Sequence, residues 1–68
     1  MTVEEQASVR IFLGSLLRRL EVMIDELDQM NAFPGKLAVM EEVMEMRGIV
    51  STLLQWNIEA IKKGDTPF

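Results

Sequence analysis

From Val9 to Met30, apolar residues recur at Val9, Leu13, Leu16, Leu20, Met23, Leu27 and Met30, in steps that alternate four and three. That spacing gathers them on one side of an α-helix and makes the seam of a coiled coil. Phe12, Leu17 and Ile24 widen the stripe, whereas Ile11, Gly14 and Val22 fall on the far side. Gly14 there is either a tolerated surface glycine or a point of close approach for a partner backbone. No segment alternates with period two, so no strand is expected. Thr2 followed by Glu5 reads as a capping box, the hydroxyl meeting a free amide while the carboxylate reaches back. A helix is predicted over about 3–30.

N-A-F-P-G-K at 31–36 breaks the pattern. Proline restricts its predecessor, and Gly35 accepts backbone angles closed to other residues. Asn31 reads as a C-terminal cap or first loop residue, and Phe33 as a lid over the end of the core, with a binding anchor as the second reading. A turn over 31–35 suits an antiparallel helical hairpin. The second helix is predicted over 36–63, with Glu41, Glu42 and Glu45 near its start and Lys62 and Lys63 at its end, a polarity that matches the helix dipole. Gly64 reads as its stop and 65–68 as a fraying tail.

The second stripe is the wider one. Val39, Val43, Met46, Val50, Leu53 and Ile61 lie near its centre, Met40, Leu54 and Ile58 on one flank, and Ile49 and Trp56 on the other. The arc exceeds half the helix circumference, and one antiparallel neighbour covers only part of it. The excess predicts a second interface, placed here on Ile49 and Trp56 with Val50, Leu53 and Met46 beside them. Arg47 and Asn57 interrupt the stripe. Arg47 is either an edge residue that extends to solvent or half of an interface salt bridge. Asn57 is either a buried register-setting residue or partly exposed.

Composition narrows the functional classes. A chain of 68 residues forms one domain at most and has a thin core. It has no cysteine and no histidine, which excludes disulfides, the usual Cys/His zinc sites and the commonest catalytic base and nucleophile. The serines and Thr52 have no activating base at helical spacing, and the acid pairs Glu21–Asp25, Asp25–Asp28 and Glu42–Glu45 fall on solvated sides. Arg18–Glu21 and Glu59–Lys63 read as weak surface ion pairs. No catalytic residue, cofactor or metal site is expected. The net charge of -4 disfavours nucleic acid, with Arg10, Arg18 and Arg19 the only basic cluster. The first residues, M-T-V-E-E-Q, are in the wrong order for a secretory signal, and no apolar run approaches the roughly 20 residues of a membrane span. Membrane insertion is not expected, and the setting expected is cytoplasmic. Six methionines, most toward the turn half, suit either core packing or an adaptable binding surface.

The expected fold is therefore an all-α antiparallel two-helix hairpin that completes a four-helix bundle with itself or packs on a helical protein partner. The run L-R-R-L-E-V-M-I-D-E-L-D-Q-M, then N-A-F-P-G-K, then a long apolar helix through Leu54, resembles the small E-type co-chaperones of bacterial type III secretion systems. It departs from them in the apolar first half of the second helix, where Val39, Met40, Val43, Met44 and Met46 stand. The resemblance implies a chaperone-type hairpin that pairs with a larger helical chaperone and helps keep a needle subunit unpolymerised in the cytoplasm. The alternative is a homodimeric regulator, either an anti-activator or a hairpin of the RNA-binding type.

Overall fold

The computed structural model describes residues 2–63, so the expected stop at Gly64 and the tail at 65–68 lie outside the described residues. Two helices account for nearly all of it: α1 (Val3–Gln29) and α2 (Lys36–Lys63), packed antiparallel in a rod of 47 × 14 × 14 Å. α1 stops one residue short of the predicted 30, because Met30 is already extended and its N–H turns back to the Leu27 carbonyl at 3.2 Å.

Local chemistry accounts for each end. The capping box forms: Glu5 N–H donates to the Thr2 hydroxyl at 3.1 Å, and Thr2 N–H donates to Glu5 Oε1 at 3.3 Å. The Thr2 backbone donor, helped by its side chain, holds the Glu5 carboxyl below its ordinary range. Its contribution to stability is therefore complete above the ordinary carboxylate value and disappears as pH falls through the lowered folded value. Thr2→Ala is expected to cost about 1 kcal/mol in urea unfolding. The loss should shrink in acid, where Glu5 is protonated, and an unchanged loss there would separate Glu5 from the cap.

The turn follows from Phe33-Pro34-Gly35-Lys36. Lys36 N–H donates to the Phe33 carbonyl at 3.1 Å and Gly35 has φ 86°. Proline at the second place and a positive-φ glycine at the third are the requirements of a type II turn. α1 has no basic residue in its last turn, yet its end is not bare, since Lys36 Nζ donates to the Met30 carbonyl. The first residue of α2 thus supplies the cation that the negative end of α1 favours. The acids predicted to complement the start of α2 do not do so. None is in its first turn, and the dipole's influence fades beyond that turn.

The core is one line of side chains at seven-residue steps on each helix. Gln6, Leu13 and Leu20 are buried on α1, with Leu27 half-buried below them; Val43, Val50 and Asn57 are buried on α2. Asn57 Nδ2 donates to the Gln6 backbone carbonyl at 3.4 Å, so Gln6 and Asn57 share a level. Equal heptad steps then set Leu13 level with Val50 and Leu20 level with Val43, and these four form the apolar core. Val9, Leu16, Leu17, Ile24, Leu27, Leu53 and Leu54 pack against them. Ala60 closes the termini end and is also buried.

Several expected members of the stripes are not in the core. Met23 is 44 % exposed, and Met30, Phe12, Val39 and Met46 also face outward. The cause is the breadth of the stripes: two helices bury one line apiece and half-bury its neighbours. Phe33 lines a hollow at the turn end with Asp28, Leu37 and Met40 and stays partly exposed, so it covers the core incompletely. Glu59 accepts from Gln55 Nε2 at 3.1 Å in place of the expected pairing with Lys63.

Candidate interaction face

An antiparallel helix pair has an approximate two-fold axis normal to the plane of its two helices. Heptad positions equivalent relative to the core line therefore lie on the same side of the hairpin. Three residues after a core position come Val9, Leu16, Met23 and Met30 on α1, and Val39, Met46, Leu53 and Ala60 on α2. One residue before a core-line position come Glu5, Phe12, Arg19 and Glu26 on α1, and Glu42, Ile49 and Trp56 on α2. All of these share one side. Phe12 is 66 % exposed and Trp56 57 %, with Met23, Met30, Val39, Met46 and Ile49 also exposed. About half of the large exposed hydrophobics among the described residues thus stand on one face that spans both helices.

The face has relief. On α2, Ile49, Leu53 and Trp56 line a shallow apolar groove bordered by Glu45, Gly48 and Thr52. The Thr52 hydroxyl donates back to the Gly48 carbonyl at 3.0 Å, so that side chain satisfies itself within the helix. On α1, Phe12 and Leu16 edge a smaller hollow with Ser15 and Arg19. The charges on this side include Arg19 from α1 and Glu42 from α2, neither of them buried.

The residues predicted for the second interface divide. Ile49, Trp56 and Met46 are exposed on this face, and Leu53 is half-buried between it and the core. Val50 and Asn57 are not available to a partner, because both are buried in the seam between α1 and α2. Arg47 is exposed, but it stands four residues after Val43 and so on the opposite side, away from Ile49 and Trp56. Of the two readings of Asn57, burial holds: it is 0 % exposed, and its Oδ1 has no hydrogen-bond partner. The face also holds Leu16 and Met23, whose spacing predicts the coiled-coil seam, and Phe12, which widens that stripe. The signal that separates them is their equivalence to Ile49, Leu53 and Met46 across the hairpin.

Gly14 has open space above it, with nothing within 4 Å of an added Cβ, so none of the described residues packs against that position. Arg10, Arg18 and Arg19 are exposed and fall on three different sides of α1, so they do not build one basic surface. Among the described residues, no group of three or more acidic side chains gathers to hold a metal, and no helix is long and apolar enough to cross a membrane. Compared with protein-family models, with curated proteins and with solved structures, the chain has no match.

Proposed function

We propose that this chain is a non-catalytic helical interaction module of the chaperone or adaptor type, which works by packing helices against the apolar face shared by α1 and α2. The observation that carries the reading is the placement of Phe12, Met23, Ile49 and Trp56, all large and exposed on one side of a two-helix rod. Continuous apolar surface of this kind marks binding sites on small proteins. Met46, Ile49, Leu53 and Trp56 repeat in steps of three and four, the anchor spacing of a helix that packs on another helix. Met23, Met30 and Met46 add side chains that adjust to varied partners. The resemblance to type III co-chaperones is the most specific form of this reading, with a larger helical chaperone as partner and the cytoplasm as its setting. The acidic balance of the chain supports a protein partner over a nucleic acid.

Trp56→Asp tests it. The variant should keep the far-UV circular dichroism of the parent, because Trp56 lies outside the core. It should lose self-association, measured by sedimentation at micromolar concentrations, and binding of an apolar reporter dye. A folded parent chain that stays monomeric and takes up no dye would overturn the reading. So would loss of all helicity in the variant, which would return Trp56 to the hairpin core.

A further inference from the structure

We propose that the occupant of this face is a second copy of the chain, seated about a two-fold axis parallel to the helices, with each α1 packed on the partner's α2. The inference rests on the preceding reading of the face and adds its partner and geometry. Area supports it first. The chain exposes 5215 Å², against roughly 4,400 Å² for a compact monomer of its mass. The excess is comparable to the roughly 800 Å² that one partner contributes to a standard interface. A face 47 Å long and 14 Å wide has a flat footprint of roughly 650 Å² per copy, and corrugated helix surface has more.

Register decides which way round the copies sit. A two-fold parallel to the helices preserves height along the rod, so α1 of one protomer meets the partner's α2 at the levels already set within the hairpin by Gln6 and Asn57. Phe12 then stands at the height midway between Ile49 and Leu53 of the partner subunit, over the middle of the groove that these residues and Trp56 line. The most exposed aromatic of the described residues thus meets the shallow apolar groove on α2. Arg19 arrives within one helical turn of the partner's Glu42, which pairs the face's central cation with a carboxylate, while Glu5 and Glu26 stand nearer the two ends of α1. A two-fold perpendicular to the helices and centred on the face would instead lay α1 on α1. Each Arg19 would then meet the height of Leu13 and Phe12, with no carboxylate beside it.

Charge reversal tests the pairing with exposed residues only. The parent should sediment at twice the 7.8 kDa chain mass. Arg19→Glu alone sets two carboxylates together and Glu42→Arg alone two cations, and each should raise the dimer dissociation constant about tenfold at low salt. An equimolar mixture of the two variants should return to parental affinity, because both cross-pairs are then of opposite sign. If the parent dimerises and responds to Trp56→Asp while the mixture shows no rescue, this arrangement is overturned and the interaction face stands. A folded monomer that binds the apolar dye overturns the second copy as occupant and leaves the face for a different helix. An unfolded or aggregating parent chain overturns the self-paired bundle. A folded monomer without dye binding removes both proposals.

Discussion

Leu20→Ala is expected to lose about 2–5 kcal/mol of stability, the range for emptying a packed leucine site. Leu20 is 3 % exposed and lies in the middle of the core with Leu13, Val43 and Val50. The total stability of a domain this size is only roughly 3–10 kcal/mol, so the variant approaches complete unfolding. Urea titrations followed by circular dichroism, at one fixed protein concentration, measure the loss. Val22→Ala is the internal comparison, an exposed apolar residue of the same helix that lies outside both the core and the shared face. It is expected to lose less than about 1 kcal/mol. Equal losses at Leu20 and Val22 would mean that the buried line along α1 is misplaced.

Asn57→Leu should have the opposite sign. The amide is fully enclosed, its Oδ1 has no partner and its Nδ2 makes a long bond of 3.4 Å to the Gln6 carbonyl. A buried acceptor without a donor costs about 1–3 kcal/mol, and leucine, with the same branched heavy-atom skeleton though bulkier methyl groups, removes that cost while adding apolar burial. The urea midpoint is therefore expected to rise. A buried asparagine of this kind disfavours other registers, in which its amide would lose the Gln6 carbonyl, and so trades stability for register. A leucine variant that is more stable but populates several oligomeric masses would show that specificity directly. A less stable variant would mean that Oδ1 is satisfied in solution.

The two helices, the turn between them and the chemistry of most of their ends were legible in the chain itself. Heptad spacing is a local property of helix geometry, and Thr2–Glu5 and Pro34–Gly35 act within a few residues of themselves. The hairpin followed from two apolar stripes and a short link. The link at Lys36 was not legible, because its bond to Met30 exists only once the turn has brought the start of α2 under the end of α1.

Which line of each stripe turns inward was decided by tertiary structure. On α2 the lines through Val43 and Val50, through Met46 and Leu53, and through Ile49 and Trp56 are all apolar at seven-residue spacing. On α1 the lines through Leu13 and Leu16 compete in the same way, whereas Glu5, Arg19 and Glu26 flank Phe12 on its own line. Periodicity alone weighs these lines alike, and it disfavours Gln6 and Asn57 in the core because they are polar. The antiparallel contact chooses one line from each helix together. The shared level of Gln6 and Asn57 belongs to that choice, and it leaves Phe12, Ile49 and Trp56 side by side on the outside. A helix carries its own pattern, but only its neighbour determines which part of that pattern is buried.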